Sequence, residues 1–157
     1  VAHANDATDR ALELLANAGV TIAYCPRAAA YFGFPDQLGP HRWREMRARG
    51  VPVALGTDSI VNLETEADDQ AAGLFGPLAD ARLLARRDGA TAAELLPMLT
   101  TIGASAVGLG AERFRLSPDS GDATEPLGIV AVPIDEKLDP ESIFQGHAPP
   151  SLLFSGK

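Results

Sequence analysis

Apolar positions along this chain switch between a two-residue and a three-to-four-residue period, and the switches lay out its elements. Val51, Val53 and Leu55, with small Ala54 between them, form the β-favouring run of V-P-V-A-L-G-T-D-S-I-V-N. That is the pattern of a short strand buried on both faces of a parallel sheet. Gly56 and Thr57 end it, and Asp58 stands where such a strand surfaces. Residues 1–4 (V-A-H-A) read as the tail of another strand with His3 at its carboxyl end. Residues 20–25 (V-T-I-A-Y-C) read as a third, ended by Pro26. Between those two, Asn5 and Asp6 are candidate caps for a helix whose apolar face is Ala7, Ala11, Leu14, Leu15 and Ala18, with Gly19 as its stop. Strand, helix, strand is by default a right-handed βαβ unit.

Residues 27–39 read as a loop, with three alanines followed by Tyr31-Phe32-Gly33-Phe34 and Pro35. Pro40 suits the first turn of a helix running to Arg49, with Trp43 and Met46 as its apolar seam and Gly50 as its stop. His41, Arg42, Arg44, Arg47 and Arg49 make this helix basic, and an outer helix pairing with acidic neighbours is the simplest expectation. Residues 61–66 follow the central strand. A helical pattern then runs over about 67–87, interrupted at Gly73 and Gly76-Pro77, firmer from Leu78 and closed by Gly89. Thr91-Ala-Ala-Glu94 is a capping-box pattern opening a helix through Leu99, limited or kinked by Pro97. Residues 101–109 predict a small-residue helix. Past Gly110 the character changes: seven acidic residues against one lysine lie between Ser117 and Glu141. Residues 127–134 and 151–154 predict two further strands. The expected organisation is α/β, with residues 1–110 as about three β/α units and residues 111–157 as the start of a small β-domain and a tail. A full (β/α)₈ barrel takes about 250 residues and eight strands, so the first part matches the closing portion of one, or else a small open sheet.

Bulk properties narrow the class. The 157 residues are 46% hydrophobic and carry a net charge of −8, which argues against partners that need a basic face, nucleic acid and anionic membrane surfaces. Cys25 is the single cysteine, which excludes an internal disulfide and fits a reducing, cytoplasmic setting. No apolar run approaches the ~20 residues of a bilayer span. The chain begins on Val inside a patterned segment, as a cut chain does.

A carboxylate at a strand's carboxyl end suits metal binding or proton transfer; the alternative use of Asp58 is as a turn residue. His3 is either a second member of such a site or a histidine hydrogen-bonded within the fold. Cys25, with no base beside it, reads as a small buried hydrophobe. Ser59 reads as a buttress for Asp58, because the G-x-S-x-G elbow of serine nucleophiles is absent. His41, on a surface-like helix, and His147, in a proline-rich tail, carry no assigned role.

Four pieces, V-A-H-A-N (1–5), Y-C-P-R (24–27), G-V-P-V-A-L-G-T-D-S (50–59) and T-I-G-A-S-A-V-G-L (101–109), occur in an order and spacing that resembles the carboxyl-terminal half of the metal-dependent amidohydrolase superfamily, in its deaminase and chlorohydrolase branch. The resemblance spans most of residues 1–135. It implies a (β/α)₈ TIM barrel whose last three strands are these, with His3 on the sixth, Cys25 on the seventh and Asp58 on the eighth. It implies a catalytic Zn²⁺ or Fe²⁺ held by Asp58, with His3 as a catalytic helper and possible second-metal ligand. Arg27, Tyr24 and Ser59 would lie at the substrate, and residues 128–135 would return the chain to a small β-sandwich. The implied reaction is hydrolytic deamination at a C–N bond of a small nitrogen-rich compound.

Two departures from the family pattern stand out. Tyr24 replaces a histidine common among relatives, and the first-strand His-x-His and fifth-strand histidine have no counterpart. The expectation is therefore a fragment that needs a missing amino-terminal half and is inactive alone. The alternative is a non-catalytic half-barrel serving as a binding or oligomerising module, whose open strand edges favour self-association into a homo-oligomer.

Overall fold

The computed structural model describes residues 1–59, 76–110, 128–134, 139–146 and 148–155. Helix α1 (Asp9–Ala18) leads into strand β1 (Ile22–Tyr24), then α2 (Pro26–Tyr31), α3 (Phe34–Leu38), α4 (Trp43–Ala48) and β2 (Val53–Leu55). Helices α5 (Pro77–Asp88), α6 (Ala92–Leu99) and α7 (Thr101–Ala106) follow, and then β3 (Gly128–Ala131), α8 (Ser142–Gln145) and β4 (Ser151–Ser155).

Strands β1 and β2 pair in parallel, with Ile22 opposite Val53, Ala23 opposite Ala54 and Tyr24 opposite Leu55. The amino-terminal segment adds a third parallel line on the other edge of β1 through an Ala2–Ala23 bridge. All three therefore point their carboxyl ends to the same rim, as the strand–helix–strand pattern predicts. Val53, Ala54 and Leu55 are all buried, as expected of a strand covered on both faces. Around it Leu12, Ile22, Tyr24, Trp43, Met46, Leu84, Leu95 and Met98 form one apolar cluster. Each such side chain contributes about 1.5–3 kcal/mol by leaving water.

Several elements are as expected. Trp43 and Met46 are the buried seam of α4. Thr91 and Glu94 close a reciprocal capping box on α6, which carries Pro97 inside it. Helix α5 starts with Pro77 in its first turn and ends on Gly89 in the left-handed conformation. The basic helix pairs with carboxylates: Arg42 with Asp9 and Glu45, Arg44 with Glu94, and Arg49 with Glu45.

Others differ. Helix α1 is capped by Thr8, whose hydroxyl accepts from Ala11 N–H, rather than by Asn5 or Asp6. A turn closed by Ala7 N–H on the Ala4 carbonyl uses those residues first. The inward face is accordingly set by fully buried Leu12, whereas Leu14 is 52% exposed. Residues 27–39 are two one-turn helices rather than a loop, each with a proline in its first turn, where the missing N–H costs nothing. Helix α4 begins at Trp43, and α7 stops at Ala106 where residues through 109 were expected. The two late strands pair with each other: β3 and β4 form an antiparallel ribbon with an irregularity between Ile129 and Val130. Residues 61–66, the first part of the helix expected from 67, the acidic stretch up to 127 and His147 lie outside the described residues. No described helix is long and apolar enough to cross a membrane.

Candidate active site

The rim at the carboxyl ends of the parallel segments brings His3 and Asp58 together. The amino-terminal segment is fixed to β1 by Ala23 N–H on the Val1 carbonyl (2.8 Å) and His3 N–H on the Ala23 carbonyl (2.9 Å). On the other side, Gly56 N–H donates to the Tyr24 carbonyl at 2.9 Å, continuing the ladder one step beyond β2. His3 Nε2 then lies 3.9 Å from Asp58 Oδ2, with 37% and 32% of the two side chains accessible. That is too long for a direct hydrogen bond and suits two groups facing one small ligand.

Both residues leave their strands in an unusual way. His3 (φ 63°), Ala4 (φ 57°) and Asp58 (φ 63°) are the non-glycine residues with positive φ among those described. Left-handed backbone costs an L-residue about 1–2 kcal/mol, and such strain concentrates at functional sites, where the surrounding structure enforces it. Two of the three strained positions are thus the two proposed for chemistry from sequence.

Cys25 lies beneath this rim. Its thiol is buried and donates toward the Ala23 carbonyl at 3.8 Å. Burial, reinforced by the charges of Asp58 and Asp80, pushes its pKa up to about 11, so the thiolate is scarce at neutral pH. Gly56 packs directly on it: a Cβ there would stand 3.0 Å from Cys25 Sγ.

Tyr24 and Arg27 are both engaged within the fold. Tyr24 is 1% exposed, its hydroxyl accepts from Arg87 Nη2 at 3.0 Å, and burial pushes its pKa up. Arg27 Nε and Nη2 donate to Asp80 Oδ2 at 3.1 and 2.8 Å, and Arg27 N–H donates to Asp80 Oδ1 at 3.1 Å. Asp80 is fully buried. Burial raises its pKa, and the guanidinium acts in the opposite direction. This pair ties the start of α2 to α5. Ser59 follows Asp58 directly and is half-buried.

His41 requires a correction. It precedes α4 rather than lying on it, and its ring stacks on Tyr24 (centroids 3.8 Å apart, planes within 11°) while its Nε2 meets the His3 carbonyl at 2.8 Å. Burial lowers its pKa. A histidine after a proline gives no local sign of these partners, nor does sequence mark Asp80 as the partner of Arg27.

The donors at the rim are a carboxylate and an imidazole, the chemistry of a catalytic zinc or iron ligand set. Two ligands of one tetrahedral zinc lie roughly 3.3 Å apart, so a small side-chain rotation would bring His3 Nε2 and Asp58 Oδ2 to that spacing. No group of three His, Cys, Asp or Glu occurs among the described residues, whereas catalytic zinc takes three protein ligands. The pair fits two positions of such a site.

Known proteins resemble this chain over part of their length. The chain is 30% identical over 125 residues to 5-methylthioadenosine/S-adenosylhomocysteine deaminase of Halobacterium salinarum, a match covering 76% of this chain and 27% of the relative. It is 32% identical over 121 residues to the protein of the same name from Teredinibacter turnerae, covering 74% of this chain and 25% of that one. The likeness is to deaminases. Among solved structures, E. coli guanine deaminase superposes with a TM-score of 0.54 at 24% identity, over 69% of this chain and 23% of that one. That match shows a shared α/β fold over the superposed part. The chain spans about a quarter of the length of the curated relatives it matches. No protein-family model matches the sequence.

Proposed function

We propose that this chain supplies the last three β/α units of a (β/α)₈ barrel in a metal-dependent deaminase, with His3 and Asp58 in its active site. The observation that carries the reading is the convergence of those two side chains, 3.9 Å apart, on one rim of parallel segments. Likeness to two curated deaminases supports the reaction class. The reaction is addition of water to an electron-poor C–N carbon and loss of ammonia. A divalent zinc or iron ion would be held by Asp58, with His3 as a further possible ligand, and other ligands would come from a further segment or a partner chain. Such an ion lowers the pKa of water toward ~7, making hydroxide available at neutral pH. Asp58 takes a proton from the attacking water and passes it to the departing amine. His3 donates to the oxygen that gains negative charge. The names of the relatives make amino-purine nucleosides the first compounds to try.

The test is ammonia release by the intact protein with added Zn²⁺ or Fe²⁺, compared with Asp58→Asn. Turnover that requires the metal and is lost in the variant supports the reading; undiminished turnover in Asp58→Asn refutes the roles assigned here. The shortage of ligands among the described residues favours a second reading, a non-catalytic module that associates through its open strand edges. A clean, well-folded monomer in equilibrium sedimentation would count against that reading and equally against the need for a missing half.

A further inference from the structure

His41 is a half-buried residue whose ring touches the backbone of His3, and the deaminase reading gives it no task. A carbonyl oxygen only accepts, so the 2.8 Å contact from His41 Nε2 to the His3 carbonyl puts the ring proton on Nε2. Nδ1 is then a bare acceptor, and it is buried with no hydrogen-bond partner among the described residues. A polar atom left in that state is costly, so the Nε2 contact is made at the expense of the ring's other nitrogen. The ring is not free to turn toward something better. It lies flat on Tyr24, whose hydroxyl is held by Arg87, and Arg87 is in turn clamped to Asp88 at 2.6 Å. The residue this assembly grips is in left-handed backbone (φ 63°). His3 is thereby held from both sides, its N–H by the Ala23 carbonyl and its C=O by His41.

We propose that His41 is a positioning residue of the active site, whose Nε2–H holds the His3 peptide in the left-handed turn that directs the His3 ring at Asp58. The inference rests on the deaminase reading for its consequence in catalysis, but the grip itself is a structural property. Removing the grip lets His3 and Ala4 relax to ordinary backbone, which swings the imidazole away from the carboxylate.

The test uses the intact isotope-labelled protein and two variants. His41→Phe keeps a flat ring on Tyr24 and loses the donor; His41→Gln places an amide N–H near the position of Nε2. In the unmodified protein, long-range ¹H–¹⁵N spectra are expected to show the His41 proton on Nε2. In His41→Phe, backbone shifts of His3 and Ala4 are expected to leave the positive-φ range, with kcat for ammonia release down by about 10- to 100-fold and KM within about twofold. His41→Gln is expected to restore both the backbone shifts and kcat. A proton on Nδ1, a finding that needs no variant, overturns the inference, as do unchanged His3 and Ala4 shifts in His41→Phe. Full turnover by His41→Phe alone also overturns it. Full turnover by both His41→Phe and Asp58→Asn overturns the deaminase reading instead.

Discussion

Removing the Asp80 carboxylate is expected to destabilise this fold more than most single changes. Asp80 is fully buried, and Arg27 reaches it with two guanidinium hydrogen bonds and a backbone N–H. Asp80→Ala leaves those three donors facing a cavity. Breaking a buried ion pair by deleting one member costs about 3–5 kcal/mol. Arg27 retains 20% accessibility and a bond to the Gly76 carbonyl, so the lower end applies, about 3 kcal/mol. Against the ~5–15 kcal/mol of a typical domain, that is a large share. In urea it corresponds to a midpoint shift of roughly 1.5–2 M at a slope of about 1.5–2 kcal/mol/M. The raised pKa of Asp80 adds a sign: burial outweighs the partner, so folding disfavours the ionised carboxylate despite Arg27. Replacing both members, Arg27→Met with Asp80→Leu, is therefore expected to recover most of the loss. The assay is urea unfolding of the wild type, both single variants and the double variant. A loss below about 1 kcal/mol in Asp80→Ala, or a double variant as unstable as the singles, would refute the reasoning.

Gly56→Ala is expected to cost about 1–3 kcal/mol by overpacking, because its Cβ would stand 3.0 Å from Cys25 Sγ. In a Cys25→Ala background the same change should be nearly neutral, which thermal unfolding of the four proteins measures. Glu94 has its pKa lowered to about 2 by Arg44 and the Thr91 cap. A depressed carboxylate contributes stability fully above its unfolded value near 4.5, and that contribution is lost as pH falls toward 2. With 28% of its side chain exposed, screening leaves about 1–2 kcal/mol. Glu94→Gln should flatten the pH dependence of unfolding in that window, and an unchanged slope would count against the pairing.

What was legible from sequence is what local pattern controls. Val53 to Leu55 form a strand because a β-favouring apolar run bounded by Gly56 has few other uses. Thr91 and Glu94 cap a helix because both halves of the box lie three residues apart. The placement of His3 and Asp58 followed from reading each as the end of a parallel strand. The helix cap at Thr8 was not legible: Asn5, Asp6 and Thr8 are all capping types, and the choice was made by the strained turn at His3 and Ala4. Helices α2 and α3 were hidden because a single turn carries no periodicity, and their prolines read equally well as breakers. His41 was hidden most completely, since its partners Tyr24 and His3 lie far away in the chain, 38 residues in the case of His3. A contact made by tertiary packing leaves no mark on its neighbours in sequence.

The central claim is that the Asp58 carboxylate, facing His3, takes part in a metal-dependent loss of ammonia. The direct measurement is the rate of ammonia release from an amino-purine nucleoside by the intact, metal-supplied protein and by its Asp58→Asn variant, with folding of both checked by thermal unfolding. Asp58→Asn is expected to lower kcat by about 10²–10⁴-fold with an unchanged melting transition. Equal rates in the two proteins would contradict it.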